Sequence, residues 1–275
     1  MNESDGSRKK ISADYANALK SFPKYCCAGQ VPKGVAAGSA GYHSSELASL
    51  PPDAVVNSFG CGNPVAFSAV EPGQVVLDLG SGAGIDLLLA AAKVGSTGRV
   101  IGVDMTEEML DKARENVASA GLTNVELRRG IIEQLPVESG SVDWVISNCA
   151  INLSPEKHRV FAEIARVLRP GGTMLVSDIT AEDLPEAISS NRNLRSACIA
   201  GAISEQAYID GLRQAGLAEI EVLERLVYDA SQIEMFFGPS GTCCGASINP
   251  AQARQWAAQL AGRVASIKVR ARKRT

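Results

Sequence analysis

Between Val75 and Asp104 the chain sets two carboxylates around three glycines. Asp78 stands just before Gly80, Gly82 and Gly84, and Asp104 closes the next apolar run. Glycines at that spacing let the backbone turn sharply and let a ligand lie against it, because no Cβ intervenes. A carboxylate at the end of the second strand can accept two hydrogen bonds from the vicinal hydroxyls of a ribose. Asp78 adds a second negative charge beside the loop, which favours a ligand with a cationic part over a pyrophosphate. S-adenosylmethionine carries an ammonium and a sulfonium and no phosphate, whereas a nicotinamide dinucleotide gains nothing from Asp78. A glycine loop alone would mark only a tight turn; two flanking strands and two carboxylates mark a nucleotide-binding βαβ unit.

The second reactive set is sulfur: Cys26, Cys27, Cys61, Cys149, Cys198, Cys243 and Cys244. An odd count without a secretion signal is no disulfide framework. No C-x-x-C spacing occurs, and two histidines, His43 and His158, offer little to a mixed zinc site. Two readings stay open: scattered buried thiols, or a thiol cluster assembled in space.

These groups need elements to position them. The 275 residues suffice for one large or two modest domains, and 45% hydrophobic with 21% charged residues is ordinary globular composition. Residues 1–10 are expected to be polar and mobile, Ile11 to Leu19 a short helix, and Gly29 to Ser45 a long loop of the kind that forms lids. After the βαβ unit, Thr106 is placed as an N-cap and the helix runs to about Ala120. Val125 to Arg128 and Val142 to Ser147 are the third and fourth strands, with Ile132 and Glu133 at the height of an adenine. A helix from Pro155 and a fifth strand, Thr173 to Asp178, follow. Such alternation implies an α/β fold with a doubly wound, mostly parallel, Rossmann-like sheet. Ligands bind beyond the carboxyl ends of such strands, so Asp78, Asp104, Glu133, Asn148 and Cys149 converge on one crevice. Pro185 to about Gly201 is read as a helix carrying Cys198. Ser204 caps another helix, and Glu219 to Leu226 is a strand, antiparallel and at the edge. Phe236 to Gly245 reads as a glycine-rich loop around Cys243 and Cys244, and Pro250 opens a last helix.

The organisation expected is 1–64, an N-terminal helix and cysteine-bearing lid; 65–180, the cofactor domain; 181–228, a substrate region; and 229–275, a small C-terminal region. A net charge of −3 argues against a nucleic-acid partner. The basic residues Lys268, Arg270, Arg272, Lys273 and Arg274 are expected to be a solvated end. No apolar run approaches the roughly 20 residues of a membrane span, and a cytoplasmic protein is expected.

Asp78-Leu-Gly-Ser-Gly-Ala-Gly84, Gly102-Val-Asp-Met105 and Arg166-Val-Leu-Arg-Pro-Gly-Gly172 resemble class I S-adenosylmethionine-dependent methyltransferases. Glu46-Leu-Ala-Ser-Leu-Pro-Pro52, Ser58-Phe-Gly-Cys-Gly-Asn-Pro64, Ser147-Asn-Cys-Ala-Ile-Asn-Leu153 and Ala197-Cys198 are similar to the arsenite methyltransferases, a resemblance running from about Tyr25 to Leu226. It implies that S-adenosylmethionine is held by Asp78, Gly80, Gly82, Gly84, Asp104, Met105, Ile132, Glu133 and Asn148. It implies that Cys61, Cys149 and Cys198 bind trivalent arsenic, in a detoxifying methylation of arsenite. Cys26 or Cys27 would take part in thiol–disulfide chemistry, with glutathione or thioredoxin as reductant. Cys243-Cys244, in a region that varies, would either capture metalloid or be incidental loop thiols. Phe59 replaces a tyrosine of some members, so no hydroxyl acts there. Soft arsenic selects thiolate ligands, which agrees with the resemblance. Two other readings remain: a methyltransferase of the same fold acting on a quinone or other small molecule, and a metalloid-binding protein without turnover.

Overall fold

The computed structural model describes residues 3–20, 42–58, 60, 62–65, 69–191, 198–237 and 249–275. Strands β1 (Val75–Leu79), β2 (Arg99–Asp104), β3 (Val125–Arg129), β4 (Val142–Asn148) and β5 (Leu168–Ala181) pair in parallel. Strand β7 (Val264–Lys273) lies antiparallel between β5 and β6 (Leu217–Val227). The sheet order is β3-β2-β1-β4-β5-β7-β6, the doubly wound α/β arrangement expected.

Both faces are covered, which is why the central strands read as continuous apolar runs rather than alternations. Successive side chains of a strand point to opposite faces. Thus Leu77 and Leu79 of β1 pack towards α6 (Lys157–Val167) and α8 (Glu205–Gln214), with Phe161, Ile164, Tyr208 and Leu212. Val76 faces the other way, against α4 (Ile85–Val94) and Trp144. Beside α4 runs α5 (Glu107–Ser119). Two short helices, α2 (Ser44–Ala48) and α3 (Pro52–Val56), precede the sheet. The small helix α7 (Glu186–Ser189) follows β5, and α9 (Ala230–Phe237) and α10 (Pro250–Leu260) pack together between β6 and β7. Phe237 meets Trp256 edge-on there, with ring centroids 5.6 Å apart.

Three sequence expectations are corrected. Residues 3–10 are the start of one helix, α1 (Glu3–Lys20). Ile11 is buried, Arg8 pairs with Glu133 and Glu156, and Ser12 accepts a hydrogen bond of 3.0 Å from the Thr106 hydroxyl. That bond diverts Thr106 from side-chain capping of α5, although it does occupy the N-cap position. The helix expected over 185–201 is, among the described residues, only α7, and Cys198 sits in a turn with φ of 60°. The basic C-terminal stretch is not a solvated end: Lys268, Arg270, Arg272 and Lys273 belong to β7. Ile267, Val269 and Ala271 alternate with them and are fully buried.

The charges of β7 meet Glu224, Glu221 and Glu219 on β6. Lys268 is buried, but the Arg270 and Arg272 pairs are exposed and contribute about 0.2–1 kcal/mol each, so apolar burial must hold the strand. Replacing Ile267 by Ala is expected to cost about 2–5 kcal/mol in urea unfolding. Replacing Arg270 by Ala should cost under about 1 kcal/mol. The reverse order would mean that β7 is held by its charges.

Candidate functional site

The turn between β1 and α4 begins at Gly80, whose φ of 67° and close approach to the Ala150 side chain both require glycine. Gly80 and Ser81 donate their backbone N–H groups to the Val103 carbonyl at 2.8 and 3.1 Å. Gly82 donates to Asp104 Oδ2 at 2.9 Å, and Thr106 donates its backbone N–H to Asp104 Oδ1 at 2.8 Å. The loop is therefore tied to the end of β2. It forms one wall of an open crevice that Gly80, Gly82, Gly84, Asp86, Asp104, Met105, Ile132, Glu133, Asn148 and Cys149 also line. Asp78 does not line it but lies buried behind, beside Asp86 and Asp104 in charge terms. Ser81 also lines the crevice, and its buried Oγ has no hydrogen-bond partner among the described residues.

The sequence reading did not single out Asp86, the second residue of α4. Its carboxylate accepts the Tyr42 hydroxyl at 2.8 Å and the Asn148 amide at 3.2 Å. Burial pushes its carboxyl up to about 6, the two donors opposing and Glu46 adding to the rise. Burial raises Asp78 well above the carboxylate range, and Asp86 and Asp104 raise it further. Asp104 is also raised by burial, against the amides of Thr106 and Gly82. An acidic residue in the first turn of a helix was the available signal for Asp86. Nothing in its polar surroundings marked Arg8.

Glu133 reaches the crevice as expected, yet its carboxylate is engaged by Arg8 of α1 at 3.1 Å and by the Ser154 hydroxyl at 2.6 Å. Asn148 is likewise engaged: Oδ1 accepts the Gly62 N–H at 3.1 Å, and Nδ2 donates to the Gly62 carbonyl and to the Tyr42 oxygen. Cys61 itself, with Cys26, Cys27, Cys243 and Cys244, lies outside the described residues.

Cys149 and Cys198 are adjacent in space although 49 residues apart, Cys198 Sγ donating to the Cys149 carbonyl at 3.5 Å. Both hold left-handed backbone, φ of 59° and 60°, a strain of about 1–3 kcal/mol each for residues with a Cβ. Cys149 is disulfide-bonded, while Cys198 is a buried thiol outside any disulfide. An apolar shell surrounds the two, including Ile233, Phe237, Ala257 and Leu260 from the C-terminal helices. Tyr228 belongs to the same shell; its phenol is raised by burial, and the Cys198 charge adds to the rise.

The Asp86 carboxyl gives a pH-dependent stability. Its folded pKa of about 6 exceeds the unfolded value of 3.8. The contribution is therefore fully present below about pH 4 and is lost as pH rises through about 6. Relative to Asp86→Asn, the cofactor-free wild-type protein should lose up to about 3 kcal/mol between pH 4 and pH 8 in chemical unfolding. Parallel stability profiles for the two proteins would mean that the carboxyl is not desolvated.

A methyltransferase domain model matches residues 70–216. The arsenite methyltransferase of Halobacterium salinarum is 49% identical over 183 residues, 66% of this chain and 46% of that protein. The mouse (Mus musculus) arsenite methyltransferase is 34% identical over 211 residues, 73% of this chain and 55% of that protein. The chain thus spans about half the length of the curated relatives it matches. Among solved structures, the arsenic(III) S-adenosylmethionine methyltransferase of Chlamydomonas reinhardtii superposes with a TM-score of 0.63 at 33% identity, covering 90% of this chain and 75% of that one. With the family model matching more than half of its residues, the chain belongs to the methyltransferase domain family.

Proposed function

We propose that this protein transfers methyl groups from S-adenosylmethionine to trivalent arsenic held by cysteine thiolates. The observation that carries the reading is Cys149 at a carboxylate-walled crevice with Cys198 packed directly behind it. The names of its relatives point the same way. When bound, S-adenosylmethionine supplies an electrophilic methyl on a cationic sulfur. The crevice suits it: Asp104 can take the ribose hydroxyls, the open space at Gly82 lets a ligand lie against the backbone, and Asp86 and Asp78 favour the cation. Met105 and Ile132 offer apolar contact, with Glu133 and Asn148 bordering the crevice.

Cys61, Cys149 and Cys198 are the proposed arsenic ligands. Three thiolates leave the arsenic lone pair pointing away from the sulfurs, free to attack the methyl in line. An As–C bond would form as the S–C bond breaks, and S-adenosylhomocysteine would leave as a neutral thioether. The thiol reductant would return the resulting pentavalent arsenic to the trivalent state. The methyl transfer needs positioning more than acid–base help, and the apolar shell around Cys149 and Cys198 keeps water from the sulfurs. In the described state Cys149 is oxidised, so the disulfide must first be reduced. In the cytoplasm a thioredoxin dithiol, or two glutathione thiols, would supply two electrons and become a disulfide. Cys26 or Cys27 would relay that exchange, and Cys243 and Cys244 would capture arsenite. Residues 65–180 would hold the cofactor, 1–64 and 181–228 would carry arsenic ligands, and 229–275 would contribute the vicinal cysteines.

The test is product analysis with arsenite, methyl-labelled S-adenosylmethionine and a thioredoxin system. Label on arsenic is expected, and omission of the reductant should abolish repeated turnover. Serine at Cys61, Cys149 or Cys198 should lower the rate by more than the about 10–100-fold typical of losing an outer-shell partner. Cofactor binding with no label on arsenic would reject the reading. A Cys149→Ser variant that kept its rate would point to a carbon, oxygen or nitrogen acceptor.

A further inference from the structure

The turns that carry Cys149 and Cys198 touch at a second point, three residues further along each. A Cβ on Gly201 would overlap the carbonyl oxygen of Asn152 and come within 3.1 Å of its carbonyl carbon. Only glycine allows that approach. The Asn152 end of the contact is firmly held. Its side-chain amide donates to the Ile179 carbonyl at 2.5 Å, and its backbone N–H donates to the Asp178 carboxylate. Its carbonyl accepts from Lys157 Nζ at 3.1 Å, and the same ammonium donates to the Ser154 carbonyl at 3.0 Å. Asp178 is buried at the end of β5, where it accepts the Tyr208 hydroxyl at 3.3 Å and the Ile179 N–H at 3.0 Å. Two strained cysteine turns are thus docked face to face through Gly201 on Asn152 and Cys198 Sγ on the Cys149 carbonyl.

We propose that Gly201 and Asn152 are positioning residues for metalloid capture: their contact sets the separation of the Cys149 and Cys198 sulfurs, so that a trivalent arsenical finds the pair already assembled. The inference rests on the reading of these cysteines as arsenic ligands. Neither residue touches arsenic; each acts through the turn it belongs to. Preassembly removes the cost of ordering the second thiol when the first has bound, and a displacement of about 1 Å in such geometry can cost as much as about a hundredfold.

The probe is phenylarsine oxide, which forms two As–S bonds with a pair of thiols and releases one water. It is applied to reduced full-length protein in which Cys26, Cys27, Cys61, Cys243 and Cys244 are serine, so that Cys149 and Cys198 alone remain. The parent should bind one equivalent. Gly201→Ala should hold the arsenical about tenfold more weakly against a competing dithiol, while S-adenosylmethionine affinity stays within about twofold. A purely structural role would lower the unfolding midpoint and leave capture by the folded protein unchanged. Should Gly201→Ala not fold, Asp178→Asn releases one anchor of the Asn152 turn without steric intrusion, and about tenfold weaker capture is expected. Capture within twofold of the parent by the folded variant, or no one-to-one capture by the parent, would overturn the proposal. Weakened capture in a protein that leaves arsenite unmethylated would sink the functional reading and not this contact. Arsenite methylation with unaltered capture in the variant would do the opposite.

Discussion

Everything at the working end of this fold depends on gathering three carboxylates close together at one edge of the sheet. Asp78 and Asp86 are buried and Asp104 is half-buried in the crevice wall, and desolvation raises all three. Among the described residues no cation pairs with them; Arg8 is committed to Glu133 and Glu156. The protein lowers the cost with dipoles instead. Asp104 takes the amides of Gly82 and Thr106, and Asp86 takes the Tyr42 hydroxyl and the Asn148 amide. Hydrogen bonds to a charged acceptor are worth about 1.5–3 kcal/mol each, and all three carboxyls stay raised in spite of them. The remaining deficit is a reservoir that a cationic ligand can draw on. Stability is given up where function needs it.

The sheet makes that concentration possible. In parallel strands the carboxyl ends fall on one edge, so residues from β1, β2 and β4 meet there without distortion. The cysteines need more than this. Cys149 follows β4 directly, but Cys198 comes from the segment beyond β5, and the two are brought together under the cover of α9 and α10. Those helices are placed by β6 and β7, so the last strand of the chain supports a site far from it in sequence. Strain confirms that tertiary packing fixes the cysteine turns: left-handed backbone at two Cβ-bearing residues persists only when the surroundings over-determine it.

Legibility followed the same division. The cofactor half could be read because its signals are local: an apolar run, glycines, a helix, a carboxylate, all within thirty residues. Asp104, the glycine loop and Met105 line the crevice as that pattern implies. Strand β7 escaped because its alternation is carried by Ile267, Val269 and Ala271 between four basic residues. Counted by charge, the stretch reads as a solvated end; counted by period two, it reads as a strand with one buried face. Of the helix expected over 185–201, the described residues beyond α7 are not helical, and Ile188, Ile199 and Ala200 serve the shell around Cys198. Arg8 and Tyr42 carry no local signal at all, because their partners Glu133 and Asp86 lie 125 and 44 residues away.

Sulfur and carboxylate also constrain one another. If the thiols of Cys149 and Cys198 ionise to bind a soft centre, they add negative charge at the edge of a crevice already rich in it. Like charges raise each other's pKa and disfavour the thiolates. A cation seated against Asp86 and Asp104 reverses the sign of that effect, stabilising carboxylates and thiolates together. In the proposed reaction the same cation loses its charge at methyl transfer, so the support for the thiolates falls when the product has formed. Substrate retention and product release would then be set by one electrostatic balance, with the carboxylate cluster as its fixed side.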